Sequence, residues 1–238
     1  MKTKSIWGQT PSRLYRLIKI ADEKFKNENW TACIVGCSDG KFLIPFARAH
    51  HKVVGYDIDT IDLFGGEKDF PIYEKRKKIP KYDRNFKSPN YPLETRRVRG
   101  LQERIEIEKL EDYARIEERN FYENPPKEKF NVVFTSCSLH YTINNKFSLQ
   151  DKINKLKNIV ENGGILYIDY MMALEEEDFE SFPNYKFFRN GEAAKFLGDD
   201  WKIISNYEQK KPVFEAAHVV TSYDHFHRFG YLLAIKEK

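Results

Sequence analysis

The sequence predicts an α/β domain built on a mostly parallel sheet, and three observations carry that prediction. Trp30 to Val35 is a short apolar run rich in β-formers, and it ends at Gly36-Cys37-Ser38-Asp39-Gly40. Phe42 to His50 is apolar enough for a helix packed on a sheet, and Lys52-Val53-Val54-Gly55-Tyr56-Asp57 follows as a second buried strand. Strand, glycine turn, helix and strand within about thirty residues make a βαβ unit, whose strands run parallel. Further along, Phe130 to Thr135 reads as a strong strand, followed by a helical pattern and another apolar run at Ile165 to Tyr170.

Each element has its own signal. Thr10-Pro11 reads as an N-cap followed by proline at the first helical position, and Leu14, Leu17, Ile18, Ala21 and Phe25 recur at helical spacing to about Asn27. After the second strand the pattern stops. Residues 64 to 98 hold four of the ten prolines and many basic residues, and read as a largely irregular insertion. A helix resumes from Leu101 to about Tyr113, with Leu101, Ile105, Leu110 and Tyr113 facing inward. Ala114 to Phe121 is a weaker third strand. Leu149 to Val160 is a helix with apolar positions at 149, 153, 156, 159 and 160, and Asn162-Gly163-Gly164 is expected to cap it. The C-terminal part predicts a short helix at Gly191 to Leu197, a strand from Trp201 to Tyr207 and a last strand from Phe229 to Ile235.

Size and composition set the class. The 238 residues fit one domain, 1–238, with the insertion at 64–98 inside it, and are enough to bury a substantial core. Hydrophobic residues at 41% and charged residues at 32% exclude a disordered or fibrous chain. The net charge of +4 does not by itself imply a nucleic-acid partner, so local clustering has to decide. Cys33, Cys37 and Cys137 match no zinc spacing and no disulfide framework, which points to reduced thiols and a cytoplasmic location. The polar start Met1-Lys2-Thr3-Lys4-Ser5 leads into no apolar run like that of a signal peptide, and no window approaches a membrane span.

The chemistry concentrates at strand ends. Gly36 and Gly40 let the backbone pass close to a ligand, and the following helix offers free N–H groups. The run Gly36-Cys37-Ser38-Asp39-Gly40 is not the Gly-x-Gly-x-x-Gly of dinucleotide sites. An ordinary tight turn is the competing reading. Asp57 ends the second strand about twenty residues later, where a carboxylate accepts ribose hydroxyls; as a helix N-cap it would need no ligand. A nucleoside without a pyrophosphate fits both signals, and S-adenosylmethionine is such a nucleoside.

On these residues the sequence resembles the class I S-adenosylmethionine-dependent methyltransferases. Cys33 to Gly40 stands where that superfamily has its first motif, and Val54-Gly55-Tyr56-Asp57 where it has its ribose acid. Phe130-Asn131-Val132-Val133-Phe134 resembles the fourth-strand motif, and Val160-Glu161-Asn162-Gly163-Gly164-Ile165-Leu166 the Leu-Lys-Pro-Gly-Gly turn. Asn120-Phe121 is similar to the pair that contacts adenine. The resemblance implies a Rossmann-like fold, a mostly parallel sheet flanked by helices with an antiparallel C-terminal strand, and S-adenosylmethionine as cofactor. It implies Gly36, Cys37, Ser38, Gly40, Asp57, Asn120, Phe121 and Ser136 as the cofactor site. Two positions depart from the pattern: Ile34 replaces the usual acid of the first strand, and Ser38 the middle glycine.

Ser136-Cys137-Ser138-Leu139-His140-Tyr141 leaves the fourth strand at the carboxyl edge, where α/β proteins place ligands. Leu-His-Tyr there resembles tellurite-resistance-type methyltransferases and, more weakly, cap-guanine methyltransferases of mRNA. His140 is expected to orient or deprotonate an acceptor and Tyr141 to stack on it; a packing pair that fixes the loop is the alternative. The tail around His225, His227 and Arg228 also resembles the tellurite-resistance type, which implies an acceptor pocket there. His-x-His on a strand puts both rings on one face, but without a cysteine or a third spaced ligand no metal is expected. The insertion carries Lys75-Arg76-Lys77-Lys78 and further basic residues interleaved with Tyr73, Tyr82, Phe86 and Tyr91, a pattern suited to RNA or to a lid over a small molecule. A small-molecule acceptor is the leading expectation, because Glu67, Asp69, Glu74, Asp83 and Glu94 dilute the positive charge; the alternatives are an RNA or nucleotide methyltransferase that uses the insertion, and a non-catalytic scaffold that binds the cofactor.

Overall fold

The computed structural model describes residues 2–26, 29–73, 78–140, 146–181, 185–219 and 221–237. In chain order the elements are α1 Ser12–Lys24, β1 Thr31–Val35, α2 Leu43–Arg48, β2 Lys52–Asp57, α3 Thr60–Phe64, β3 Gly66–Pro71, β4 Leu93–Val98 and α4 Leu101–Glu108. Then follow β5 Ala114–Glu118, β6 Phe130–Ser136, α5 Leu149–Asn158, β7 Val160–Met172, α6 Asp178–Ser181, α7 Glu192–Lys195, β8 Trp201–Glu208, β9 Val213–Glu215 and β10 His225–Lys236. The main sheet has the order β5-β2-β1-β6-β7-β10-β8, with β9 attached to β10. Pairing is parallel from β5 through β7 and antiparallel on both sides of β10.

Alternation in the strands explains the layers. Ala32 and Ile34 of β1, Val132 and Phe134 of β6 and Ile165 and Tyr167 of β7 bury in one cluster with α1, α2 and α4. Their neighbours Cys33, Val35, Val133, Leu166 and Ile168 bury in a second cluster with Ile153 and Leu156 of α5. A strand buried on both faces reads as a continuous apolar run rather than as alternation, which is how these strands appear in the sequence. Among the described residues no helix is long and apolar enough to cross a membrane.

Several expectations are corrected. Thr10 is not the cap of α1: Pro11 occupies that position without a side-chain bond, and the Thr10 hydroxyl donates to the Lys41 carbonyl. The predicted helix to Tyr113 stops at Glu108, because Lys109 takes a left-handed φ of 57°. Leu110 N–H then reaches the Ile105 carbonyl and Lys109 N–H the Glu106 carbonyl, a Schellman closure without its usual glycine. Leu110 still buries, so the apolar spacing outlived the helix. Asn162-Gly163-Gly164 does not cap α5, which ends at Asn158 with Ile159 as its C-cap. Those residues lie inside β7, where Gly163 at φ 75° takes up a register shift against β6.

The insertion is more ordered than its composition suggests. Its ends form an antiparallel hairpin of β3 and β4, paired from Gly66↔Val98 to Pro71↔Leu93. β4 is largely exposed and β3 is at most half-buried, and both are charged, so no fully buried face writes a period of two into the sequence. The hairpin is instead held by the ladder, the Thr95 hydroxyl on Asp69 at 2.6 Å, and Arg96 stacked over Phe70.

Candidate functional site

The chain leaves β1 for β2 and β5 on one side and for β6 and β7 on the other, so the topological switch point lies between β1 and β6. Ligands of open α/β sheets sit in the crevice beyond the carboxyl ends of the strands at such a point. Among the described residues, two of the four non-glycine residues with left-handed φ stand there: Ser38 after β1, at 48°, and Cys137 after β6, at 54°. Strained backbone of this kind persists where surrounding contacts over-determine it, commonly at functional sites.

The first turn is tightly built. Gly36 takes φ 73°, and a Cβ there would fall 2.9 Å from the Ser138 Cβ. Gly40 takes φ 88°, and a Cβ there would fall 2.3 Å from Leu101 Cδ1. Both glycines are therefore required by packing of the turn against the β6 loop and α4. Cys37 is fully buried with its sulfur against Gly55, and burial holds its thiol well above the usual range. Only its backbone faces the turn.

Asp57 ends β2 facing this turn. Its Oδ2 accepts the Ser38 N–H at 2.6 Å, and its Oδ1 accepts the N–H groups of Ile58 and Asp59 at 2.7 and 3.0 Å. Burial raises its pKa, and the three backbone donors pull the other way. The N-cap of α3 is Asp59, which takes the N–H groups of Ile61 and Asp62. That leaves Asp57 outside the capping role. Beside it, buried Asp62 accepts the Ser38 hydroxyl at 2.5 Å and the Trp7 indole N–H at 3.3 Å, and pairs with Lys68 at 2.5 Å. Asp62 carries no motif signal, since it lies in the first turn of a short helix where acids are common. Asp39 is likewise buried against Arg104 at 3.1 Å and accepts from Ser5 and Ile6, which draws the N-terminal segment across the turn.

Asn120 follows β5, next to the end of β2, where Arg119 N–H bonds the Asp57 carbonyl at 2.7 Å. Its side-chain oxygen takes the Tyr122 N–H, which leaves its amide nitrogen to donate. Phe121 is buried against Tyr56 in the core. On the other side of the crevice the Ser136 hydroxyl donates to Asp169 at 3.0 Å, and the same carboxylate pairs with Arg13 at 2.8 Å and accepts from Tyr167. Cys137, its thiol pushed up to about 12 by burial and by Asp169, stays protonated at neutral pH. Ser138 belongs to a buried hydroxyl network with Thr135 and Tyr122.

His140 is buried beneath the segment at 185–188, its ring parallel to Tyr185 at 6.4 Å. Burial and then the charge of Lys152 push its pKa down to about 4, so it is neutral at physiological pH. Lys152 is itself buried, donates to the Leu139 carbonyl at 2.5 Å, and is pushed down to about 8 by burial and Lys186. Tyr141 lies outside the described residues. The half-buried Arg228 guanidinium donates to Gln209, Ala173 and Asn190 and so ties three segments together. His225 and His227 face Glu215 on β9, a short strand the sequence reading missed.

No protein-family model and no curated protein matches the sequence. Solved structures do. TehB from Haemophilus influenzae matches with a TM-score of 0.62 at 13% identity, over 96% of this chain and 62% of that one. Magnesium protoporphyrin IX methyltransferase from Synechocystis PCC 6803, solved with bound S-adenosylhomocysteine, matches at 0.57 and 13%, over 95% and 82%. The chain shares the Rossmann-like fold of these structures. The [4+2]-cyclase SpnF has it too, at a TM-score of 0.58 and 11% identity over 93% of this chain and 80% of that one. Within this fold, the Gly36 turn, Asp57, Asn120 and Ser136 all stand along one carboxyl edge. Cys37 and Phe121 stand there through backbone alone, with their side chains in the core.

Proposed function

We propose that this chain is an S-adenosylmethionine-dependent methyltransferase acting on a small-molecule acceptor. The observation that carries the reading is Asp57, a carboxylate at the carboxyl end of β2 that is oriented by three backbone N–H groups yet is not a helix cap. Its Oδ2 takes one donor and keeps an acceptor position for a ribose hydroxyl. The donor capacity of the Asn120 amide suits an adenine edge. The bound cofactor supplies a sulfonium methyl group. The residues of this chain bind its nucleoside, close the crevice with the segment around Trp7, and hold an acceptor in line, so that positioning and exclusion of water supply most of the rate. His140 stays neutral at pH 7 because burial and Lys152 push its pKa down to about 4, so it is suited to orient the acceptor through a hydrogen bond rather than to take its proton.

The state of the insertion favours a small molecule over RNA. Tyr82 packs on Phe226, Phe86 on Phe214 and Phe226, and the Tyr91 hydroxyl on Asp224 at 2.9 Å. Aromatics employed in this way are not available to stack on bases. Arg84, Arg96 and Arg99 are paired with Glu177, Glu94 and Glu103, while Lys75, Arg76 and Lys77 lie outside the described residues. A cytoplasmic location, where three free thiols stay reduced, completes the reading.

The test is conversion of S-adenosylmethionine to S-adenosylhomocysteine in the presence of a fractionated small-molecule extract. Conversion above the blank that follows one fraction supports the proposal. Binding without conversion across all fractions would favour chemistry of the kind the cyclase neighbour carries out. Conversion only with RNA, lost when Lys75 to Lys78 are replaced by serine, would move the acceptor to the insertion.

A further inference from the structure

The hairpin of β9 and β10 has two chemically different faces. Phe214 and Phe226 alternate to one side, where Phe86 packs on both and Tyr82 on Phe226. Glu215 and His225, directly cross-strand partners, alternate to the other side together with His227. His218 joins them from the loop, where its backbone pairs with Thr221 in both directions. Asp224 pins that loop by accepting the Ala217 N–H and the Tyr91 hydroxyl, and its own N–H meets Ser88. The four side chains are thus held in place by neighbours outside the cluster.

Their spacing is that of a coordination shell. Glu215 Oε2 lies 3.7 Å from His218 Nε2 and 3.5 Å from His225 Nε2, and all three ligand atoms fall within 4.8 Å of one another. Donors bound tetrahedrally to zinc at about 2.0 to 2.1 Å stand roughly 3.3 Å apart. His227 Nδ1, buried, lies 3.0 Å from the same oxygen and backs the carboxylate.

Tautomers sharpen the point. His218 Nδ1 is 2.6 Å from the Val219 carbonyl and His225 Nδ1 is 3.4 Å from the Tyr223 carbonyl. A carbonyl only accepts, so each neutral ring carries its proton on Nδ1 and presents the Nε2 lone pair. In that form two imidazole lone pairs and a carboxylate oxygen stand together, an arrangement that a bound cation would satisfy. Ligating histidines are oriented in just this way, by a hydrogen bond from the other ring nitrogen.

We propose that Glu215, His218 and His225 form a binding site for one divalent transition-metal ion of the zinc class, a site that two imidazoles and one carboxylate suit better than magnesium or calcium. The sequence reading expected no metal because His225-x-His227 lacked a third spaced ligand; folding of β9 onto β10 supplies it. Three protein ligands leave a coordination position for water or for an oxygen-bearing ligand. The site borders the crevice, since the Trp7 ring lies 6.1 Å from His218 while its indole N–H reaches Asp62. It does not depend on the methyltransferase reading, and its test uses metal alone.

Protein stripped with chelator is titrated with Co²⁺ and followed by visible absorption, and then with Zn²⁺ in competition. The expected result is one ion per chain, ligand-field bands of nitrogen and oxygen coordination without a thiolate charge-transfer band, and displacement of cobalt by zinc. His218→Ala and His225→Ala should each weaken binding at least about tenfold, while His51→Ala, before the amino end of β2 and stacked on Trp30, should leave it unchanged. Because the cobalt spectrum is read on the wild-type chain, a variant that fails to fold leaves the test intact. No saturable binding, a thiolate band, or affinity equal in wild type and in the two variants would overturn the site and leave a proton as the cation of this cluster.

Discussion

Replacing Asp57 with asparagine separates the two duties this carboxylate carries. In the wild type Oδ1 accepts the Ile58 and Asp59 N–H groups, and Oδ2 accepts the Ser38 N–H at 2.6 Å. Asparagine keeps one oxygen, which still serves Ile58 and Asp59, but it turns an amide nitrogen toward the Ser38 donor. One bond to a charged acceptor is lost, worth about 1.5 to 3 kcal/mol when fully buried. Asp57 is half-buried, so water partly replaces the lost partner and the stability cost falls to about 1 to 2 kcal/mol. At this chain length that lowers the melting temperature by roughly 2 to 8 °C. A ribose hydroxyl meets the same amide nitrogen, so S-adenosylhomocysteine should bind roughly 10- to 150-fold more weakly. Thermal denaturation measures the first effect and titration calorimetry the second. A lower melting temperature with cofactor affinity within twofold of wild type would refute the ribose role and leave Asp57 as an anchor of the turn.

Three further outcomes follow from the same geometry. His140→Ala should leave S-adenosylhomocysteine affinity within a few-fold while methyl transfer falls by about 10²-fold or more; unchanged transfer would make His140 a packing residue. For Glu108, burial acts to raise the pKa, but hydrogen bonds from Arg48 and Thr3 outweigh it and hold the carboxyl at about 2 against an ordinary 4.5. The stability this contributes is present above pH 4.5 and is lost as pH falls toward about 2, so melting temperatures of wild type and Glu108→Gln should differ at neutral pH and converge on acidification. Gly40→Ala places a methyl group 2.3 Å from Leu101 Cδ1 at a φ of 88°, and should cost at least about 2 kcal/mol by urea denaturation.

The parallel core was legible because its central strands bury both faces, and the apolar runs at 31–35, 52–57 and 130–136 announce that directly, whereas β5, with no fully buried residue, gave the weaker signal. The candidate crevice was legible for the same reason: Gly36, Asp57 and Ser136 come at strand ends, and strand ends in a parallel sheet share one edge. Elements without a buried face were not legible. β3 and β4 are polar on both sides, and β9 is three residues long. The cost of missing β9 was the whole Glu215 cluster, because only its pairing with β10 brings Glu215 opposite His225. Lys109 shows a further limit, since a left-handed lysine ends α4 where the apolar spacing continues to Tyr113. Asp62 and Asp169 were invisible for another reason. Their partners Ser38, Arg13 and Ser136 come from distant parts of the chain.

The measurement closest to the central claim is a calorimetric titration of the wild-type chain with S-adenosylhomocysteine. The account predicts saturable one-to-one binding in the low micromolar range or tighter, displaced by S-adenosylmethionine. Absence of saturable binding at millimolar ligand, from a chain whose melting curve shows it folded, would contradict it.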